Sequence, residues 1–210
     1  MTTVSAVMAS PIIAIDGPAG SGKSTLSRAL CERLGLERLD TGAMYRAVAW
    51  AALDRGIDPS DPEAVGELAE RVHLTVGERV TVDGVDVTEA IRGPAVNRAV
   101  SVVAANPRVR RAMVQRQRRW VAAREGGVVV EGRDIGSVVL PTADVKVYLT
   151  ATDDERARRR PEESAVDLSR RDHLDRTRAV SPLGVADGAH VVDTTGRSVE
   201  DITEEIVGWL

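Results

Sequence analysis

The sequence predicts an α/β fold, a parallel five-stranded sheet with helices on both faces, interrupted by a small antiparallel β insertion. Three observations carry that expectation. Short apolar runs alternate with helix-period segments along most of the chain, the pattern of parallel strands joined by helical crossovers. Over residues 72–87 the period drops to strict alternation, broken by Gly77-Glu78 and Asp83-Gly84, so a small hairpin meander stands apart from the parallel core. The first apolar run leads straight into G-x-x-x-x-G-K-[ST], a motif that works only at a strand-to-helix turn.

Taken in order, Ile12-Ile13-Ala14-Ile15 reads as a short buried strand, and Gly17-Pro18-Ala19-Gly20-Ser21-Gly22-Lys23-Ser24 fills every position of the motif. A helix from Thr25 runs to Leu34 and stops at Gly35. In such a turn successive backbone N–H groups of Gly17 to Thr25 curl round a phosphate and the helix N-terminus faces it. Lys23 can reach the outer phosphates, and the Ser24 hydroxyl can ligate Mg²⁺. The motif therefore implies a nucleoside-triphosphate site.

Leu39-Asp40-Thr41-Gly42 reads as the end of a second strand and a turn, followed by a helix over 43–55 and a short helix over 63–71. After the meander, helical segments are expected over 88–92, 94–105 and 107–124, two of them opening on proline. Val128-Val129-Val130-Glu131 is a buried strand ending in Gly132-Arg133-Asp134, and residues 145–149 form another. A charged helix over 153–160 meets Pro161, and a basic helix reaches about Val180. Val191-Val192-Asp193 closes the sheet, and an amphipathic helix covers 199–210. In an open parallel sheet ligands bind beyond the carboxyl ends of the strands, where these polar clusters fall.

Composition narrows the chemistry. A net charge of −4 over 210 residues gives no bulk attraction to nucleic acid or an anionic membrane. Three Trp, two Tyr and no Phe leave few rings for stacking on single strands. The single cysteine, Cys31, cannot close an intrachain disulfide and reads as a small apolar helix residue. Residues 1–11 lack the basic start and apolar core of a signal peptide, and no apolar run has the length of a membrane span. A soluble, cytoplasmic chain is the expectation, with a monomer as the default.

Three nucleotide-dependent functions compete: a phosphotransferase with a small phosphorylated acceptor, a GTPase switch, and a nucleic-acid-dependent ATPase. No Asn precedes a Lys, so the guanine-reading N-K-x-D is missing; D-x-x-G at Asp193-Thr194-Thr195-Gly196 falls after the last strand and reads as a turn. Charge and aromatic poverty oppose the ATPase. Seven arginines between Arg108 and Arg124 and eight between Arg156 and Arg178 suit the transferase. Most belong to solvated helix faces, but phosphoryl transfer between two polyanions needs several cations beyond Lys23. A phosphate acceptor needs no general base, being largely dianionic near pH 7. No Ser-His-Asp set is present, and His73, His173 and His190 are far apart in sequence.

The blocks IDGPAGSGKST, LDTGAMYR, VDGVDVTEAIR, NPRVR, VEGRDIGSVVLPTADVKVYLTA, ERARRR and RRDHLDRTRAVSPL carry a resemblance. The chain resembles the bacterial cytidylate kinases, nucleoside monophosphate kinases of the P-loop class, over essentially its whole length. The resemblance implies a core of residues 10–40, 125–155 and 180–210, an acceptor region over 41–124 that includes the meander, and a lid over 156–178. It implies transfer from ATP–Mg²⁺ to CMP or dCMP, with Lys23, Arg133, Arg171 and Arg178 as catalytic cations. Thr41, Arg46, Arg133 and Arg178 match the acceptor-phosphate positions, and Arg171 and Asp175 the ribose positions. Ser101, Arg110 and Asp134 match the base readers: a carboxylate accepts from cytosine N4, and Arg110 donates to the ring acceptors. Arg156 and Arg160 are candidates for the adenine side. The stretch between Arg160 and Arg170 is shorter than the helical lid usual in the family.

Overall fold

A computed structural model describes residues 10–161, 165–178 and 180–210. The first nine residues, Glu162 to Ser164 within the expected lid, and Ala179 near the expected end of its helix lie outside the described residues.

Strand β1 (Ile12–Asp16) occupies the middle of a five-stranded sheet of order β2-β6-β1-β7-β8, with β2 (Glu37–Asp40), β6 (Val128–Glu131), β7 (Val145–Thr150) and β8 (His190–Asp193). All four pairings are parallel, with Ile13 opposite Val129 on one side and Val145 on the other. Central strands of this kind are buried on both faces, which is why they read as unbroken apolar runs. The register brings Asp16, Asp40 and Glu131 to the same carboxyl edge. The phosphate loop therefore leaves β1 beside the end of β6, where Glu131 stands, with Asp40 one strand further out.

One face is covered by α1 (Lys23–Leu34) and α8 (Val199–Val207), whose Leu26, Leu30, Ile202 and Ile206 pack on Ile13, Ile15, Val147 and Leu149. Cys31 lies half-buried there, and burial pushes its thiol up to about 11, which leaves it inert as a nucleophile. The other face carries α2 (Thr41–Asp54), α3 (Pro62–Arg71), α4 (Pro94–Ala105) and α5 (Pro107–Ala122). Buried Ala47, Ala51 and Ala52 let α2 approach its neighbours closely. The meander is present as β3 (Leu74–Val76), β4 (Val80–Val82) and β5 (Val85–Asp86), with Asp83 and Gly84 both at positive φ in its second turn.

Several boundaries differ from expectation. Helix α2 begins at Thr41, two residues early, because the Asp40 carboxylate accepts from the Ala43 N–H at 3.0 Å and caps it. Helix α1 likewise begins at Lys23, directly behind Gly22 at φ 93°. Residues 88–92 contain only a 3₁₀ turn, Ala90–Arg92. Helices α5 and α8 stop short of 124 and 210. After Asp134 the chain forms one π-type turn, Ile135–Val139, which no periodicity announced. Helices α6 (Asp153–Arg158) and α7 (Ala165–Thr177) follow β7; α6 ends two residues before the expected Arg160.

Candidate active site

The loop from Gly17 to Ser24 joins β1 to α1 with Gly17, Gly20 and Gly22 all at positive φ. Gly17 has a second constraint: a Cβ there would stand 2.4 Å from the Leu149 carbonyl oxygen of β7. Lys23 folds back over the loop, its Nζ donating to the carbonyls of Gly17 at 2.8 Å and Pro18 at 2.7 Å. Burial, and then the nearby Arg133, hold its ammonium well below the usual lysine range. An arriving polyanion would reverse that bias. Pro18, Ala19 and Ser21 are buried within the loop, and Thr25 is exposed on the first turn of α1.

Ser24 meets a residue that sequence reasoning passed over. Its hydroxyl donates to Glu131 Oε2 at 2.8 Å, Ser27 donates to Oε1 at 3.0 Å, and Arg38 reaches Oε1 at 2.6 Å. Burial, reinforced by Asp40, raises the Glu131 carboxyl above its ordinary value, against the pull of these donors. Glu131 had been read only as a strand end. Its signal is positional: a carboxylate closing the strand beside the one that feeds a phosphate loop.

Beyond Glu131 the chain turns through Gly132, where a Cβ would stand 2.6 Å from Thr41 Oγ1, and brings Arg133 and Asp134 over the loop. Arg133 donates to the Gly17 carbonyl at 3.0 Å and to Asp175 Oδ2 at 2.8 Å. Burial alone would lower the Arg133 pKa; Asp175 outweighs it and raises it, and the same contact brings Asp175 below the usual carboxylate range despite its own burial. Asp134 pairs with Arg110 through Oδ2 and with Arg178 through Oδ1 at 3.4 Å. The Arg110 guanidinium also lies over the Tyr45 ring, 5.3 Å from its centroid.

These groups line one cleft of about 820 Å³, its open mouth included. Lys23 and Ser24 stand at one end; Thr41, Arg46, Ser101, Arg110, Arg133 and Asp134 line the rest, closed over by Arg171, Asp175 and Arg178. Thr41 donates its hydroxyl to the Glu131 carbonyl at 2.7 Å, and Arg46 is held by the Ile91 carbonyl at 3.0 Å and by Asn97 at 2.5 Å. All the residues expected to hold the acceptor thus converge, from α2, α4, α5, the β6 turn and α7.

Arg156 and Arg160, the candidates for the adenine side, take different positions. Arg156 is buried, paired with Asp172 of α7, and its backbone packs against Gly20. Arg160 lines the same cleft as the acceptor residues. The side chain at the outer flank of the loop is Arg159, which donates to Thr194 Oγ1 at 2.8 Å and to the Thr194 carbonyl at 3.0 Å.

A parallel sheet with a phosphate loop after its central strand, and an arginine-lined cleft beside that loop, defines a P-loop kinase. The cytidylate kinase family model matches residues 13–210. A cytidylate kinase of Rhodococcus opacus (strain B4) is 48% identical over 208 residues, covering 91% of this chain and 90% of that protein. One from Desulfitobacterium hafniense (strain Y51) is 47% identical over 211 residues, covering 93% and 90%. A bifunctional pantoate ligase/cytidylate kinase of Synechococcus sp. (strain WH7803) is 48% identical over 94% of this chain but 44% of its own length. Among solved structures, an uncharacterized protein from Eubacterium ventriosum ATCC 27560 shares the fold, with a TM-score of 0.51 at 14% identity, covering 95% of this chain and 97% of that one. The chain belongs to the cytidylate kinase family. No helix among the described residues is long and apolar enough to cross a membrane.

Proposed function

We propose that this kinase transfers the γ-phosphoryl group of ATP to CMP or dCMP, giving ADP and CDP or dCDP. The observation that carries the reading is the buried Arg110–Asp134 pair, set in the same cleft as Lys23 and the arginines 133, 171 and 178. Cytosine presents an N4 amino donor with N3 and O2 acceptors, and this pair presents one acceptor-only and one donor-only group. Ser101 adds a hydroxyl on the same wall. Thr41, Arg46, Arg133 and Arg178 hold the acceptor phosphate; Arg171 and Asp175 take the ribose.

In the reaction an oxygen of the dianionic CMP phosphate bonds to the γ-phosphorus as the bond to the β–γ bridging oxygen breaks, and ADP leaves with that electron pair. No protein base is needed. Lys23, Arg133, Arg171 and Arg178 offset the repulsion between the two polyanions and follow charge onto the transferred group. The hard oxygens of Ser24 and Glu131, 2.8 Å apart, would hold Mg²⁺. Mg²⁺, when bound, neutralises charge on the donor phosphates. The domain reading belongs here too: residues 10–40, 125–155 and 180–210 form the core, 41–124 the acceptor region and 156–178 the lid. We take the enzyme to be a cytoplasmic monomer without a nucleic-acid partner.

The test is an acceptor panel of CMP, dCMP, UMP, AMP and shikimate with ATP–Mg²⁺. CMP and dCMP should be turned over far faster than the rest. No turnover of any acceptor, together with tight GTP binding, would favour a switch protein.

A further inference from the structure

Asp16, the last residue of β1, stands directly before the phosphate loop, and no step above uses it. Its carboxylate is 3% exposed and accepts two backbone hydrogen bonds, from Ile135 N–H through Oδ1 and Gly136 N–H through Oδ2, each 2.8 Å. These two N–H groups open the π-type turn that follows Asp134. On the other side of the same two residues, the Arg133 guanidinium donates to the carbonyl of Gly17, the next residue after Asp16. The Arg133–Asp134 dipeptide is therefore fastened to the β1–loop junction before and after, by one side chain each way.

We propose that Asp16 is a positioning residue that sets Asp134 and Arg133 against the phosphate loop, so that base and phosphate of the acceptor are held in register with the donor. This rests on the reading of Asp134 as base reader. Asp134 sits at φ −146°, ψ 27°, outside any regular element, so its own backbone does not fix where its carboxylate points. Arg110 and Arg178 grip the carboxylate itself, and the backbone that carries it leads directly into the turn that hangs on Asp16. A carboxylate suits the task because each oxygen takes one N–H; an amide has a single acceptor oxygen and would turn an NH₂ toward the second N–H.

Burial raises Asp16 to about 6 in spite of both hydrogen bonds, with Asp134 raising it further and Lys23 lowering it, so the ionised form is held at a cost. Arg133 and Tyr148 also face the group electrostatically. An uncharged acceptor would serve packing better, and the charge is explained by the two-point grip.

The experiment compares Asp16→Asn with the parent in steady-state kinetics on CMP and UMP, with ATP varied separately. We expect KM for CMP to rise and the CMP-to-UMP ratio of kcat/KM to fall about tenfold, the discrimination set by one well-placed polar contact. KM for ATP should change by less than about threefold; a mere loss of active protein would lower the apparent kcat for CMP and UMP equally and leave both KM values and the ratio unchanged. An unchanged ratio with a uniform loss overturns the positioning role and leaves a structural one. Asp134→Asn, run in parallel, separates this from failure of the underlying reading. If that variant shifts the ratio and Asp16→Asn does not, only the present inference falls; if neither shifts it, the base-reading assignment falls first. Should Asp16→Asn not fold, amide exchange in the unaltered protein decides: Ile135 and Gly136 N–H must be protected, and loop-like exchange at both overturns the clamp.

Discussion

Asp134→Asn keeps the shape of the side chain and removes its charge, which separates two roles at one position. In the structure Asp134 faces Arg110 through one oxygen and Arg178 through the other, at 3.4 Å, and all three side chains are 5% exposed or less. The first effect is independent of the base. Breaking a buried ion pair by removing one partner costs ~3–5 kcal/mol, and the amide oxygen, which still accepts one hydrogen bond, recovers part of it. A net loss of ~2 kcal/mol would lower Tm by roughly 4–8 °C for a chain of this size. Looser arginines should lower kcat/KM for CMP and UMP by similar factors, because Arg178 serves the phosphate that both share. The second effect depends on the base. A carboxylate accepts from cytosine N4 but opposes uracil O4 acceptor to acceptor, a misfit of about 1–3 kcal/mol. The amide can present its NH₂ to O4, so the CMP-to-UMP ratio of kcat/KM should fall roughly tenfold or more. Most of that fall should come from lost CMP activity. Initial rates of ADP release at acceptor concentrations well below KM measure the ratio directly. A common fall with an unchanged ratio would refute base reading and leave Asp134 as a holder of arginines.

Lys23→Ala should lower transfer roughly 10²-fold or more, as for a lost transition-state donor, while CMP binding in the cleft stays largely intact; near-normal kcat would remove the role assigned to the loop. Amide exchange over 165–178 should slow when a bisubstrate ligand joining adenosine and cytidine through phosphates is bound, and equal exchange with and without it would count against a moving lid. Asp16 yields a pH prediction whose sign follows from burial. Its folded pKa of about 6 exceeds the ordinary 3.8, so the folded state holds the proton more tightly and this group's stabilisation is lost as pH rises through 6. Relative to the parent, Asp16→Asn should therefore gain on the order of 3 kcal/mol of stability between pH 4 and 7, read from urea midpoints. A difference that stays flat with pH would show that Asp16 does not ionise in that range.

The three central strands β1, β6 and β7 were legible because they are buried on both faces and read as largely apolar runs, whereas the edge strands β2 and β8 are more exposed and more polar. The meander was legible from Asp83-Gly84, whose positive φ values are what a tight hairpin turn demands. Helix starts were less so. Thr41 was read as a turn residue because nothing in composition says that Asp40 will cap the helix rather than pair outward; Asp40 does both, with Arg92 at 3.9 Å. The π-type turn after Asp134 has no period of its own, and it forms where Asp16, far away in sequence, supplies two acceptors. The ion pair of Arg156 was hidden for a related reason. Its place in a run of arginines beside the lid suggested a cation facing ligand, whereas Asp172, on a different helix, draws the guanidinium inward.

That ion pair points to how the site is built. Sequence reading identified the cations and assigned each to a phosphate, a sugar or a base. The structure gives arginines 110, 133, 156 and 178 each a carboxylate partner on another element, and it holds the buried Arg46 through the Ile91 carbonyl and Asn97. Isolated buried guanidinium groups would repel one another and carry a large desolvation penalty. Arg178 shows the strain that remains: burial, and then Arg110, lower its pKa although Asp134 and Asp175 oppose them. The carboxylates therefore hold the arginines in place before any nucleotide arrives. When a dianionic phosphate enters, it meets donors already oriented, and part of the ordering cost of binding has been met during folding. The same logic explains why acidic residues of the cleft matter without touching phosphate. Removing Asp175 would release Arg133 and weaken its contact with the phosphate loop, whereas removing Asp134 would release Arg110 and leave Arg133 tied to Gly17. Loss of Asp175 should thus damage the phosphate grip for every acceptor equally, whereas loss of Asp134 should change which base is preferred.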